Sequence, residues 1–272
     1  DVKNTDIAET HFDEIVYEKG SSILKQMYYF IGDSNFSKGL KHYFEKYQWS
    51  NTVFNDFIHQ MIVISSVPYT ETDAPLLAPA LLKSCLTKSG FSSVAIDLNR
   101  EILDRINQHP DKNKIVNFFR TQHADDDVCD VVGDLIDYAA DRILKYNPTV
   151  VGLSLLTQDC QFFTVWLCYH LKCLMPDVRI VLGGSGIKSF IAQSEINFGE
   201  SLQQSNMIDA YINGDGEHAF VEYVKGNISY PGINSNQWLP IKDLDHLPFA
   251  DFSDYSLDHY PQQAITICDS RG

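Results

Sequence analysis

Over the first sixty residues the apolar positions repeat with the period of a helix; beyond residue 61 they gather into short unbroken runs. Between Asp33 and Tyr47, Phe36, Leu40, Tyr43, Phe44 and Tyr47 follow a 3.6-residue repeat, and Lys38, Lys41 and Lys46 take polar positions. That spacing predicts an amphipathic helix with one face buried. Asp33 or Ser34 can cap it, and Gly32 separates it from a preceding helix. Ser50-Asn51-Thr52 can open a third helix carrying Val53, Phe54, Phe57 and Ile58. Residues 12–61 read as a stack of short helices.

From Ile62 strands alternate with helices. The expected strands are Ile62–Val67, Ser93–Leu98, Val150–Leu155, Val178–Leu182 and Asp209–Asn213. The expected helices run over about Leu76–Lys88, Asp126–Tyr146 and Cys160–Met175, with a last one from Gly216 through Val224 and a polar, helix-prone region interrupted by Pro110. Near-continuous apolar strands joined by helices imply a parallel sheet covered on both faces, a five-stranded doubly wound α/β domain over roughly 62–226. The tail from Asn227 to Gly272 is rich in aromatics and proline. Pro231-Gly232 suggests a turn, Leu247–Phe252 a packed linker and Ala264–Cys268 a new strand.

At 272 residues, 44% of them hydrophobic, the chain can bury one large core or two. Thirty-six acidic against 21 basic residues leave a formal charge of −15, which argues against a nucleic-acid or anionic-membrane surface. No apolar run approaches the ~20 residues of a membrane span. The opening Asp1–Asp6 lacks the basic and apolar regions of a signal peptide, so a cytoplasmic location is expected. Cys85, Cys129, Cys160, Cys168, Cys173 and Cys268 form no C-x-x-C pair and lie mostly in apolar segments, as reduced, buried thiols do. No zinc or other metal site is expected of them.

In an open parallel sheet, ligands bind beyond the carboxyl ends of the strands, where strand order reverses. The loops at that edge hold the candidate cofactor-binding residues: Val67 and Pro68; Ser154, Thr157 and Gln158; Gly183, Gly184 and Ser185; Gly214, Gly216 and Glu217. Glycines let backbone approach a flat ligand, and hydroxyls and amides bond it without charge. Together they suit a large neutral ligand. Each glycine pair also has a plain use in ending a strand, and Glu217 in complementing a helix dipole. With no G-x-G-x-x-G after the first strand and no G-x-x-x-x-G-K-[ST], phosphate cradles for dinucleotides and nucleoside triphosphates are disfavoured.

The succession of a Val-Pro first loop, "IDLN", "VVGLSLLT", "PDVRIVLGGSG", "DAYINGDGEHAF" and "LPFADFSDY…ITICDSRG" resembles the amino-terminal half of cobalamin-binding radical S-adenosylmethionine proteins, over about Met61 to Gly272. The resemblance implies a flavodoxin-like, cobalamin-binding-type domain over 61–226, with "VVGLS", "VLGG" and "GDGE" on the corrin-facing edge. Residues 227–272 then form a linker and the first strand of a radical barrel. The family's cluster cysteines follow that strand; since this sequence ends at Gly272, no [4Fe-4S] cluster and no S-adenosylmethionine are expected to bind this chain. Without D-x-H-x-x-G in the first loop, cobalamin would be held without a protein histidine on cobalt. Some relatives carry the domain without cobalamin, which leaves a cofactor-free interaction domain as an alternative. Gly184→Val is expected to weaken cobalamin binding and spare the fold, unless Gly184 holds a positive φ.

The helical beginning is similar to something unrelated. "FDEIVYEKGSSILKQMYYFIGDSNFSKGLKHYFEKYQWSNTVFNDF" resembles the segment of aminopeptidase N-family zinc enzymes that follows their metal site. Tyr17 falls on the family's Y-x-K-G tyrosine, a phenol that stabilises the tetrahedral oxyanion, and is the candidate catalytic residue of that reading. No H-E-x-x-H occurs, and His11, His42 and His59 are isolated. A zinc metalloaminopeptidase fragment is thus the alternative function, with both parent families enzymes but neither metal motif present here. The direct join at Met61, with no Gly/Ser/Pro linker, suggests a chimera of two partial proteins; the milder alternative is a natural fusion with a helical extension. A small-molecule cofactor is the expected partner, with neither nucleic acid nor membrane.

Overall fold

The computed structural model describes residues 61–121, 126–188, 196–238, 240–241 and 243–267, with part of 21–44. The chain divides into two compact units, Asp1–His59 and Gln60–Gly272. In the first, the described residues are helical on either side of Gly32, which has φ +79°. The Gly32 N–H bonds the Tyr28 carbonyl at 3.0 Å, and the Tyr28 ring meets Phe36 edge-on at 5.6 Å. The helix break expected at Gly32 is therefore present. The third helix expected from Ser50 lies outside the described residues.

The second unit holds β1 (Met61–Ser66), α1 (Leu77–Lys88), β2 (Ser92–Asp97), α2 (Leu98–Gln108), α3 (Lys112–Thr121), α4 (Asp126–Leu144), β3 (Val150–Ser154), α5 (Gln161–Leu174), β4 (Arg179–Gly183), α6 (Phe198–Gln204), β5 (Ala210–Tyr211) and α7 (Gly216–Val224). The five strands form one parallel sheet in the order β2-β1-β3-β4-β5. This is the flavodoxin-like doubly wound order, with its reversal between β1 and β3. Alternate residues feed two cores. Val63, Val151, Leu153, Ile180 and Leu182 pack under α2 to α5, and Ile62, Ile64, Val150, Val181 and Ala210 pack under α1 and α7. Two apolar faces per strand explain why the strands read as unbroken apolar runs.

The helix-prone region interrupted by Pro110 is present as two helices, α2 and α3, on either side of it. Two local expectations change. β5 is only two residues long, because Ile212 bonds Leu182 and then bridges antiparallel to Ile233. Of the strand expected over Ala264–Cys268, Ala264–Ile267 carries no strand ladder among the described residues, and Cys268 lies outside them. The cysteines also divide: Cys85, Cys160 and Cys168 are buried, but Cys129 and Cys173 fall on the outer faces of α4 and α5 and are exposed.

The tail folds back as a strap. Leu247 and Ala250 pack on the α1–α7 core, and Asp251 donates its N–H to the Ala80 carbonyl at 3.1 Å. Asp254 accepts the Ala95 N–H of edge strand β2 at 2.9 Å. Buried Lys83 on α1 pairs with Asp251 at 3.0 Å and Asp254 at 2.7 Å. Further on, the Tyr260 hydroxyl donates to Asp97, and Thr266 Oγ1 donates to the Pro75 carbonyl at 3.1 Å. Among the described residues no helix is long and apolar enough to cross a membrane.

Candidate functional site

The carboxyl ends of β3, β4 and β5 open into a cavity of about 180 Å³. It brings together six of the residues singled out from the sequence: Ser154, Gly183, Gly184, Gly214, Gly216 and Glu217. Leu82 of α1, Ile212 and Phe220 of α7 make its apolar walls. Beneath it, a β-carbon on Gly152 would lie 2.8 Å from Phe220 Cζ and 3.3 Å from Cε1 and Cε2, so the missing side chain leaves room for the tip of that ring against β3.

The glycines do different jobs. Gly184 has φ +93°, and a β-carbon there would sit 2.3 Å from the Leu155 carbonyl oxygen. Its smoothness is used by the protein's own backbone, and its positive φ meets the exception attached to Gly184→Val, which is therefore not expected to spare the fold. Gly186 is similarly closed by the Thr157 carbonyl oxygen at 2.4 Å. At Gly183 an added β-carbon would meet nothing within 4 Å, so this backbone faces open space in the cavity wall. Gly214 has φ +102°, and Gly216 begins α7 with Leu82 at ordinary contact distance, 3.6 Å. Glu217, in the first turn of α7, is buried. Asp215 before it accepts the Ile241 N–H at 2.7 Å, tying the tail to this corner.

The other five candidates lie elsewhere on the edge. Val67 and Pro68 are buried, and the Val67 N–H bonds the Ser154 carbonyl at 3.2 Å. Thr157 is half-buried with Oγ1 3.4 Å from the Tyr69 carbonyl. Gln158 and Ser185 are exposed, and the Ser185 hydroxyl donates to the Leu156 carbonyl. Tyr17 lies outside the described residues.

Sequence reasoning passed over the network that fixes the first loop. Asn99, fully buried, accepts the Thr70 N–H and donates to the Thr70 carbonyl, both at 2.8 Å. Asp97 receives Ser66 Oγ, the Arg100 N–H and the Tyr260 hydroxyl. Both polar residues belong to "IDLN", and polar atoms inside an apolar run were the available signal. Tyr69 stacks on Phe119 at 5.4 Å and donates to Glu71 at 2.7 Å; burial and that carboxylate push its phenol up to about 12. Among the described residues no group of three His, Cys, Asp or Glu side chains is placed to hold a metal ion.

Fold and topology define the second unit as a flavodoxin-like α/β domain. The comparisons with known proteins fall into two parts. A model of the peptidase family M1 domain matches residues 1–71. Probable aminopeptidase 2 of Sulfurisphaera tokodaii is 33% identical over 91 residues, which is 34% of this chain and 10% of that protein. Aminopeptidase N of Lactococcus lactis is 47% identical over 57 residues, 21% of this chain and 7% of that one. The chain spans about a tenth of the length of the curated relatives it matches. Among solved structures, the radical S-adenosylmethionine methyltransferase TsrM of Kitasatospora setae, with cobalamin and a [4Fe-4S] cluster bound, aligns at TM-score 0.40 and 14% identity, covering 64% of this chain and 26% of that one. A cobalamin-binding protein of Desulfitobacterium hafniense aligns at 0.35 and 14%, covering 63% and 62%.

Proposed function

We propose that residues 61–226 are a cobalamin-binding module, with 227–272 the linker towards a radical S-adenosylmethionine barrel. The observation that carries the reading is the cavity under Gly183. At about 180 Å³ it is smaller than the ~300–1,000 Å³ of a pocket that swallows a whole ligand. It is close to the ~150 Å³ apolar cavity that takes up benzene. It therefore suits one ring-sized arm of a large ligand whose body lies across the sheet edge. Leu82, Ile212 and Phe220 would hold that arm; Ser154, the Gly183 and Gly214 backbone and Glu217 would meet polar groups at the rim. Cobalamin, when bound, supplies a cobalt centre suited to carrying a one-carbon group or an electron. The chain's own residues bind it, orient it and exclude water from its buried arm. S-adenosylmethionine and the iron–sulfur cluster belong to the parent family's barrel in this reading.

Titration of the full chain with hydroxocobalamin, followed by absorbance and calorimetry, tests the proposal. Saturable binding without the spectral signature of histidine on cobalt is expected. No saturation at ~100 μM, a limit of about 5–6 kcal/mol, would favour a cofactor-free interaction domain.

A second reading is favoured by the family match at residues 1–71: the first unit is a fragment of an M1 zinc aminopeptidase, carrying Tyr17 without the zinc motif. Release of an aminoacyl-arylamide product is not expected. Zinc-dependent release abolished by Tyr17→Phe would overturn that. We read the whole as two partial proteins in one chain, which an intact mass compared with the encoding reading frame would check.

A further inference from the structure

We infer that the outer face of α4 and α5 is a docking surface for a cationic amphipathic helix of a partner polypeptide. α5 already has a buried side: Phe163, Thr164, Leu167, Cys168 and Leu171 face the core. A helix covering a sheet ordinarily turns polar residues outward on the opposite side. Here that side carries Phe162, Trp166 and Tyr169, at i, i+4 and i+7, with Trp166 47% and Tyr169 53% exposed. Their rings stand in a row, 6.2 Å from Phe162 to Trp166 and 6.4 Å from Trp166 to Tyr169. Phe118 supports the row from within, edge-on to Phe162 at 4.8 Å. The row is thus held in place before any partner arrives, and exposed Trp and Tyr are the residues that anchor interfaces.

The neighbouring helix says what kind of partner fits. On α4, Asp127, Asp130, Asp134, Asp137 and Asp141 are all exposed, at spacings of three and four that set them in one stripe. The His170 Nε2 to Asp137 Oδ1 contact of 3.2 Å joins this stripe to the aromatic row, since His170 lies one turn beyond Trp166. Among the described residues, none of the five carboxylates pairs with a lysine or arginine. Like charges three and four residues apart repel along a helix, and a cationic partner removes that repulsion. A partner helix with apolar anchors at i, i+3, i+4 and i+7 would lie along the aromatic row, and lysines or arginines on its flank would meet the acidic stripe. An anionic membrane surface is disfavoured by the same stripe.

The probe is a fluorescein-labelled, roughly 18-residue Leu/Trp/Lys amphipathic peptide, long enough to hold a helix, together with its counterpart bearing Glu for Lys. Anisotropy titrations on the full chain, at low and high salt, should show saturable binding of the Lys peptide alone. Trp166→Ala should weaken it about tenfold or more, as loss of an interface anchor does. Asp134→Asn with Asp137→Asn should flatten its salt dependence. Trp166→Gln and Tyr169→Ala, with circular dichroism melts, separate lost docking from lost fold. Absence of binding, equal binding of the Glu peptide, or Lys-peptide binding indifferent to Trp166 and Tyr169 in folded variants would overturn the proposal. So would self-association that Trp166→Ala abolishes, which would assign the face to a second copy of the chain.

Discussion

Two neighbouring glycines make opposite predictions. A side chain at Gly183 enters open space in the cavity wall, whereas one at Gly184 collides with the Leu155 carbonyl at 2.3 Å and must also hold φ +93°. Gly183→Val should melt near the parent temperature and lower hydroxocobalamin affinity by about tenfold or more, some 1.4 kcal/mol. Gly184→Val should lose about 1–3 kcal/mol from the backbone alone, at φ 93° and ψ 171°, and more from the collision, visible in chemical denaturation with or without ligand. Equal melting temperatures for the two variants would contradict this assignment. Gly152→Ala tests the floor: the Phe220 ring, 2.8 Å from the new carbon, has to shift, at about 1–3 kcal/mol for an overpacked core. In the sequence these glycines look alike. What separates them is φ and the crossing of another loop's backbone, neither of which is a property of the residue type.

At the scale of elements, strands were the most legible, because β-branched runs buried on both faces leave little room for another reading. β1, β3 and β4 each lie within a residue of where the apolar runs place them. β5 is shorter because its end is settled by Ile233, 21 positions further on. The strap is legible only as the packed linker over Leu247–Phe252: "LPFADFSDY" shows apolar and acidic residues, but its partners Lys83 and Ala95 are more than 150 residues away. Its pH behaviour follows from those partners. Burial opposes the charge on Asp251, yet Ser253 and Lys83 outweigh it and draw the carboxyl from 3.8 to about 2. That contribution stands above the ordinary carboxylate value and is lost as pH falls towards 2. Burial likewise opposes the Lys83 charge, but Asp254 and Asp251 raise it above 10.5, so its contribution is complete below that value and is lost only as pH rises past it. Burial and Asp97 push the Tyr260 phenol up in the same sense. Proteolysis of the strap should therefore be slow and flat from about pH 4 to 10 and accelerate on either side. Lys83→Met should lower that plateau by about 1–3 kcal/mol, less than a fully buried pair because both carboxylates are partly exposed, and weaken the acid limb while leaving the part due to Ser253.

At the scale of the molecule, the two patterns of the sequence correspond to two compact units, Asp1–His59 and Gln60–Gly272. Among the described residues, both clusters of buried residues that pack the α/β sheet come from positions between Ile62 and Ile233, and the strap that bonds its edge strand is drawn from the tail after residue 226. A sheet packed on both faces, with its β2 edge tied to the tail through the Ala95 N–H, has features that autonomous folding requires. The M1 match runs on to residue 71, through β1 and into the loop after it, so a boundary there would separate β1 from both strands it pairs with, β2 and β3. The structural boundary is the one that leaves a foldable piece. Residues 61–272 expressed alone should therefore unfold cooperatively at the temperature of the α/β transition in the full chain and bind hydroxocobalamin with the same affinity. A chain beginning at residue 72 should fail to fold, because without β1 the sheet is left as β2 and β3–β5 with no strand between them. Calorimetric scans of the full chain and both truncations decide it. Aggregation of the 61–272 chain, or cooperative folding of the chain from residue 72, would move the boundary to where the family match ends.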